Sequence, residues 1–365
     1  MNLRTVNATR AARIERTRSV METVGVDALA LSVGSDLPYL TGYRAMATER
    51  LTMLIVTATA ADLVVPELEA PRVEPGPFDV VAWAETDDPI AIVSSLASGA
   101  QTVAIGDQAW AVFLVRLQQA LPETSFQSAT PLMRTLRIRK DEAELAALRA
   151  AAADVDRVVA HLATTDFAGR SERDLSREIR DLTLAEGHQE ATFAIVASGP
   201  NGASPHHEAG DRIIEPGDLV VVDFGGRRDG YASDTTRTFA VGEPGDEQAT
   251  AYQVLHAAQV AACDAVRPGV AAQEIDRVAR AVISAAGYGD RFIHRTGHGI
   301  GMDGHEDPYL VAGNTERVDQ GMAFSIEPGI YTSGSWGMRI EDIVAVTATG
   351  VERLNRSDRR LYVVG

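Results

Sequence analysis

Residues 219–240 constrain the fold most, because they place two carboxylates on a predicted β-hairpin. An apolar run ends in Asp223, and a returning run of β-branched and aromatic residues carries Asp234. Glycine-containing segments at 225–226 and 229–230 predict turns between the two runs. A hairpin of this length can bring the two aspartates side by side.

Two carboxylates in one protein-lined place repel each other when both are ionised. A shared proton, a bound cation or a water-filled gap relieves that repulsion. In the alternative interpretation, Asp234 is an ordinary turn residue and Asp223 ends a strand in solvent. The hairpin by itself leaves both interpretations open.

Composition excludes several classes of partner and site. The 365 residues include 34 basic and 51 acidic side chains, and the net charge of -17 argues against nucleic acid or an anionic membrane as a partner. Cys263 is the only cysteine, so any metal must be held by histidine and carboxylates. The basic N-terminal segment has no continuous apolar core, and no apolar run reaches the length of a membrane span. We therefore expect a cytoplasmic protein without a signal peptide.

The pattern of apolar segments predicts two domains of mixed α/β (α+β) class. In residues 1–131, short apolar runs alternate with amphipathic helical patterns. An arginine-rich segment then leads into a long helix that begins at Asp141, where acidic side chains suit the helix N-terminus. We place the boundary in this segment, so that the second domain comprises residues 132–365.

The second domain shows a faint internal repeat with an offset of one hundred residues. Segments 169–187 and 269–287 each predict a helix closed by a C-terminal glycine. Each helix is followed by a predicted strand, at 192–196 in the first copy and at 292–294 in the second. A duplicated unit of this kind would supply each functional feature twice.

The two copies carry corresponding acids. The segment around Glu327 matches the segment around Asp223, and a further acid follows each of them. Together with a histidine flanked by glycines, the chain offers four oxygen donors and one imidazole: Asp223, Asp234, His298, Glu327 and Glu341. This set suits two divalent cations of the manganese, cobalt or zinc type, whose charge the four carboxylates balance.

The C-terminal part resembles the metallopeptidases of the pita-bread fold, specifically the Xaa-Pro dipeptidase (prolidase) and aminopeptidase P group. The resemblance spans about residues 132 to 365, and its blocks are VASGPN at 196–201, VDFG at 222–225, GYASDTTR at 230–237, TGHGIG at 296–301, HEDP at 305–308, IEPGIY at 326–331 and RIED at 339–342. The segment LPYLTGY at 37–43 is similar to the smaller domain of this group and of creatinase. The resemblance implies a creatinase-like domain followed by a pita-bread catalytic domain with a pseudo-twofold duplication.

The resemblance also implies a role for each matching residue. Asp223, Asp234, His298, Glu327 and Glu341 would hold two metal ions, with Asp234 and Glu341 bridging them. Manganese is the expected metal, and cobalt or zinc are the alternatives. Glu327 is also the expected proton acceptor for the attacking water.

Further residues are expected around the metals. The resemblance implies that His206, His294 and His305 line the active site and assist substrate binding and proton transfer. Arg339 would brace the ligand carboxylates, and Tyr331 would lie near the bound substrate.

These residues predict a dinuclear-metal peptidase that hydrolyses the bond preceding proline, in Xaa-Pro dipeptides or at Xaa-Pro N-termini of longer peptides. We expect a homodimer whose partner is a proline-containing di- or oligopeptide substrate. Three alternatives stay open at this point. They are a hydrolase of a small non-peptide amide, a methionine aminopeptidase, and a binding protein of the same fold without catalysis.

Overall fold

The computed structural model describes the backbone of residues 3–365 and the side chains of residues 6–365. The chain divides into two compact units, the first ending at Arg137 and the second comprising Ile138–Gly365. The predicted boundary between residues 131 and 132 falls inside a helix, Thr130–Arg137, whose apolar side packs on the N-terminal helix of the first unit. Burial of that side assigns the whole helix to the first unit, so the division lies a few residues later.

The first unit is a mixed α/β sandwich of one sheet and its helices. Its elements are α1 (Leu3–Val24), β1 (Ala28–Leu31), α2 (Asp36–Thr41), β2 (Met53–Thr57), β3 (Ala61–Pro66), β4 (Asp79–Trp83), α3 (Pro89–Leu96), β5 (Thr102–Ile105), α4 (Ala111–Ala120), β6 (Ser125–Ser128) and α5 (Thr130–Arg137). The strand order is β4-β3-β2-β1-β5-β6. Side chains of α3 and α4, among them Val93 and Phe113, pack against strand residues such as Ile55 to form its core.

The second unit is built from two similar halves. The first half contains α6 (Glu142–Leu162), α7 (Glu172–Ala185), β7 (Glu190–Ser198), β8 (Leu219–Arg228) and β9 (Tyr231–Val241). The second contains α8 (Asp246–Ala265), α9 (Ala272–Ala285), β10 (Gly297–Gly299), β11 (Glu306–Leu310), β12 (Ala323–Ile326), β13 (Gly329–Thr332), β14 (Trp336–Arg339), β15 (Asp342–Val346), β16 (Val351–Arg353) and β17 (Tyr362–Val364). The main sheets have the orders β17-β9-β8-β7 and β11-β10-β12-β15-β16.

The predicted duplication is confirmed by matching backbone contacts. The helices α7 and α9 are each 14 residues long. Ahead of them, Gly169 N donates to Ile214 O at 2.9 Å, and Gly269 N donates to Val318 O at 2.8 Å. The predicted strand at 292–294 is wrong, however. The side chain of Arg280 bonds the carbonyl oxygens of that segment, and the strand of the second copy begins only at β10.

The hairpin of β8 and β9 is longer than the sequence pattern predicts. Its turn lies at Asp229 and Gly230, which both have positive φ angles of 51° and 86°. The turn predicted at residues 225–226 is wrong, because both glycines lie inside β8 and pair with Asp234 and Ser233 of β9. A Cβ on Gly225 would collide with the carbonyl oxygen of Ser233, so glycine is required there by the close approach of the next strand.

Alternation along the strands separates the apolar core from a polar face. In β8, Val220, Val222 and Phe224 join the core formed with α6 and α7, which leaves Asp223 on the opposite face. In β12, Phe324 and Ile326 join the second core, with α8 and α9. Among the described residues, no helix is both long and apolar enough to cross a membrane.

Candidate metal centre and active site

The hairpin places its two acids diagonally on one face. Asp223 pairs with Thr236 and Asp234 pairs with Gly225, so the acids occupy neighbouring positions of the same pleated surface. Both side chains are buried. The interpretation of a hairpin in solvent is therefore wrong. The repulsion between the two buried carboxylates must be relieved inside the protein.

The second half supplies three more donors beside the hairpin. Thr236 joins the two halves, since its carbonyl oxygen accepts from Glu341 N at 3.1 Å and its hydroxyl donates to Glu341 Oε2 at 2.7 Å. The backbone N of His298 donates to Ser325 Oγ, which in turn donates to Glu327 Oε1 at 3.0 Å. His298 Nε2 lies 3.2 Å from Glu327 Oε1 and 3.7 Å from Asp234 Oδ2.

The five donors form one cluster. Asp223, Asp234 and Glu341 offer oxygens within 4.8 Å of one another, and His298, Glu327 and Glu341 do the same. In the described part of the chain, Asp223 Oδ1 and Glu341 Oε1 are buried without a hydrogen-bond partner. Buried oxygens without partners are costly unless a cation or water satisfies them. The donor set therefore fits divalent metal ions.

The electrostatics of the cluster support this fit. Burial and repulsion from Asp223 raise the pKa of Asp234 well above its ordinary value, and burial together with repulsion from Asp234 does the same for Glu341. Burial also raises the pKa of Glu327, but the hydrogen bond and charge of His298 outweigh it and lower that pKa to about 2. Excess negative charge in a buried cluster of this kind is relieved by binding cations.

Arg339 forms hydrogen bonds to the donor cluster and to residues beside it. Its guanidinium donates to Asp223 Oδ2 at 2.6 Å, to Thr236 Oγ1 at 3.0 Å and to the Tyr331 hydroxyl oxygen at 2.8 Å. A fourth contact runs from Nη1, which also bonds Tyr331, to the carbonyl oxygen of Pro205 at 3.3 Å. One planar cation thus links Asp223 of the first half to Pro205, the residue before His206.

His294 and Tyr331 form a short hydrogen-bonded chain with Arg339. His294 Nδ1 lies 2.7 Å from the carbonyl oxygen of Arg295, so it carries the proton. His294 Nε2 can then accept from the Tyr331 hydroxyl at 2.9 Å, while that oxygen accepts from Arg339. Burial raises the pKa of Tyr331 to about 12 and lowers the pKa of His294, so both are neutral near pH 7.

The other two histidines expected at the site, His206 and His305, line the same cavity as His294. The space has a volume of about 550 Å³ and is bordered by His206, His294, His305 and the five donors. The ring of His305 stacks on that of His298, with centroids 3.7 Å apart. Burial and the neighbouring His298 lower the pKa of His305 to about 4. His206 is exposed at the rim and free to meet a substrate.

Two buried acids outside the donor set anchor the loops that carry the histidines. Glu172 Oε1 accepts from the backbone and hydroxyl of Ser198 at 2.8 and 2.7 Å and from Asn201 at 3.0 Å. Its other oxygen accepts from His207 at 2.8 Å and from Gly210 at 3.2 Å. These contacts enclose the segment that holds His206.

The second acid serves the other histidine loop. Asp276 Oδ1 accepts from Thr296 N at 3.1 Å and from its hydroxyl at 2.8 Å, two residues from His298. Neither Glu172 nor Asp276 was predicted from the sequence. Each lies in the first or second turn of a helix, where an acid is expected for the helix dipole alone, so the sequence holds no signal of this second role.

Comparison with known proteins agrees with the geometry. Residues 146–348 match the metallopeptidase family M24, and residues 13–139 match the creatinase/prolidase N-terminal domain. The chain is 44% identical to the probable dipeptidase PepE of Mycobacterium tuberculosis over 97% of this chain and 96% of that protein. It is 35% identical to an Xaa-Pro dipeptidase of Lactobacillus delbrueckii subsp. lactis over 96% of this chain and 98% of that protein.

A solved structure agrees equally well. The recombinant prolidase from Thermococcus sibiricus superposes with a TM-score of 0.93 and 36% identity, covering 96% of this chain and 98% of that one. The match extends over both units, so the fold class predicted from the sequence is confirmed. The chain belongs to metallopeptidase family M24, and it is a metal-dependent hydrolase with a creatinase/prolidase N-terminal domain.

Proposed function

We propose that this protein is a dinuclear-metal dipeptidase that hydrolyses the peptide bond preceding proline. One observation carries the proposal most directly. Four carboxylates and one imidazole converge in a cavity, and two of their buried oxygens have no partner among the described residues. Relatives whose names state a dipeptidase or an Xaa-Pro dipeptidase cover nearly the whole chain, which supports the choice of substrate.

The proposed ligands are the five converging donors. Asp223 would hold one ion, Asp234 and Glu341 would bridge two, and His298 and Glu327 would hold the other. Manganese is the proposed metal, with cobalt or zinc as alternatives, because oxygen-rich sites with one imidazole accept all three. When bound, such ions polarise a carbonyl oxygen and lower the pKa of a water toward 7.

The residues of the chain divide the remaining work. Glu327, whose carboxylate is ionised at neutral pH, accepts a proton from the attacking water. His305 and His206 both border the cavity and donate to the oxygen of the scissile carbonyl. Arg339 keeps Asp223 in place, and Tyr331 holds His294, which borders the cavity, through a hydrogen bond.

Substrate choice is the direct test of the proposal. Protein reconstituted with manganese, cobalt or zinc is assayed on an Xaa-Pro dipeptide, an Xaa-Ala dipeptide, an Xaa-Pro-Xaa tripeptide and a Met-Ala peptide. We expect cleavage of Xaa-Pro with the highest kcat/KM. Hydrolysis of Xaa-Ala at an equal rate would remove the proline requirement, and cleavage of the Met-Ala peptide alone would favour a methionine aminopeptidase.

Replacement of Glu327 tests the assignment of the proton acceptor. The Glu327→Gln variant keeps the shape of the side chain but cannot accept the proton, so we expect kcat to fall about 100- to 10,000-fold. Elemental analysis separates this loss from loss of metal. A variant that binds two metals and turns over at nearly the normal rate would show that another group takes the proton.

A homodimer and a cytoplasmic location remain proposals that rest on the sequence alone. Light scattering of the purified protein measures the first, since a dimer would have twice the mass of the 39.0 kDa chain. Fractionation of the native cells measures the second.

A further inference from the structure

Arg295 is a cavity residue that the proposed mechanism does not use. It follows His294 in the chain and borders the same cavity as the five donors. Its guanidinium lies 4.4 Å from the centre of the Tyr309 ring, and Nη2 lies 3.1 Å from His305 Nδ1. Stacking on one ring and a hydrogen bond to another fix the direction in which this cation points.

The hydrogen bond also fixes the state of His305. Arginine carries only donors, so His305 Nδ1 must be the acceptor and its proton must be on Nε2. The ring of His305 stacks in turn on His298. Only the ring of His305 therefore separates the Arg295 guanidinium from His298, a proposed metal ligand.

Arg295 differs from the other arginines of this region in its partners. Arg339 bonds to Asp223, and Arg280 pairs with Asp276 at 2.8 Å. Within the part of the chain that the structure describes, Arg295 contacts no carboxylate. Two dications would balance the charge of the four proposed ligand carboxylates. These carboxylates would then attract the Arg295 guanidinium only weakly. A cation held in a substrate cavity without an acidic partner is suited to an anionic group of the substrate.

A dipeptide offers such a group close to the scissile bond. Its free α-carboxylate lies a single residue beyond the carbonyl that is attacked, whereas a longer peptide has a neutral amide at that place. The planar fork of arginine binds a carboxylate through two parallel hydrogen bonds and has no comparable fit for an amide.

We propose that Arg295 binds the free α-carboxylate of the substrate and thereby makes the site select dipeptides over longer peptides. This inference rests on the proposed dipeptidase function and names the residue that determines its substrate length. Arg295 is a binding residue in this scheme, and it takes no part in proton transfer.

The experiment compares one dipeptide in two forms, an Xaa-Pro acid and the same Xaa-Pro with a C-terminal amide. For the metal-loaded wild-type protein, we expect a kcat/KM for the acid that is about 10- to 100-fold higher than for the amide, as is typical of a lost charge-assisted contact. In Arg295→Met, the value for the acid should fall by a similar factor, chiefly through KM. The value for the amide should change little, so the preference should disappear.

Two further variants complete the design. Arg295→Lys keeps the charge without the planar fork and should restore part of the preference for the acid. Arg177→Met removes an arginine on the outer surface of α7 that is 69% exposed, and it should leave both rates unchanged. Inhibition by free proline and by prolinamide gives a readout independent of turnover, and Arg295→Met should weaken only inhibition by proline.

Each contrary result has a distinct meaning. Equal rates on acid and amide by the wild-type protein would overturn the inference without any variant, and so would an unchanged preference in Arg295→Met. In both cases cleavage of Xaa-Pro would leave the proposed function intact. Failure of the wild-type protein to cleave any dipeptide would instead overturn the proposed function itself.

Discussion

At the residue scale, the site depends on single side chains that form hydrogen bonds to several partners at once. Arg339 bonds to Asp223, Thr236, Tyr331 and the carbonyl oxygen of Pro205. Its planar group reaches all of these from one position, which the single ammonium of lysine cannot do. The Arg339 side chain is 3% exposed, so solvent cannot replace the contacts that a shorter or rounder cation would lose.

We predict that Arg339→Lys weakens metal binding about 10- to 100-fold, because Asp223 loses the partner that orients it. Calorimetric titration of the metal-free protein with Mn²⁺ measures this change. Arg339→Met should also destabilise the fold by about 3 to 5 kcal/mol, since it leaves a buried carboxylate unpaired. Metal affinity that is unchanged in both variants would show that Asp223 keeps its orientation without Arg339.

At the scale of elements, strand pairing and loop anchoring place the donors. The face of the β8 and β9 hairpin that carries Asp223 and Asp234 also contains Gly225, where the neighbouring strand leaves no room for a side chain. The histidine loop after β7 is held from outside by Glu172 on α7. Both features position residues of the site without supplying a donor atom themselves.

Gly225→Ala should disturb the hairpin at the position of Asp234. We expect a loss of at least about 2 kcal/mol in the free energy of unfolding, together with weaker metal binding, because the new Cβ displaces the backbone of Ser233. Gly350→Ala is the matched control, since a Cβ there has no atom within 4 Å. Denaturant unfolding of both variants checks the prediction, and equal stability would contradict it.

Glu172→Gln should lower activity through His206 rather than through the metals. The carboxamide cannot accept all five hydrogen bonds, so the loop loses its anchor and kcat/KM falls about 10-fold. In a His206→Ala background the same substitution should have little further effect, while the metal content stays at the wild-type value. An undiminished effect in that background would assign Glu172 a general structural role.

The pKa of Glu172 gives this anchor a pH dependence. Burial raises that pKa, but the hydrogen bonds from Ser198, Asn201 and His207 outweigh burial and lower it below its ordinary value. Its contribution to stability is therefore complete above the ordinary glutamate pKa of 4.5 and is lost as the pH falls through the lower folded pKa. In Glu172→Gln, the free energy of unfolding should therefore fall less steeply as the pH is lowered into the acid range.

At the scale of the whole molecule, the two halves of the second unit meet at the cluster of five donors. Thr236 of the first half bridges to Glu341 of the second by both backbone and side chain. Bound ions would add further links between the halves, because each half contributes ligands. Metal binding should therefore stabilise the unit as well as activate it.

Removal of metal by a chelator should lower the melting temperature of the second unit. At a free metal concentration of about 100 times Kd, binding contributes about 2.7 kcal/mol, which corresponds to a shift of roughly 5 to 10 °C. Scanning calorimetry before and after EDTA, with re-addition of Mn²⁺, measures the change. Identical transitions with and without metal would contradict binding at the buried cluster.

The sequence alone determined the chemistry of the site. The donor types, their order and the internal repeat can all be read from the sequence, so Asp223, Asp234, His298, Glu327 and Glu341 could be proposed as one set before their convergence was seen. The true turn at residues 229–230 was predicted for the same reason, since turn chemistry is set by neighbouring residues.

Only the tertiary structure decided which residues support that site. Glu172, Asp276 and Arg295 act on segments that lie far away in the chain or across a cavity, and no spacing rule connects them. The role of the glycines at 225–226 was misread for the same reason, because the atoms that exclude a side chain belong to neighbouring strands. Long-range packing fixes such contacts, and local sequence does not encode them.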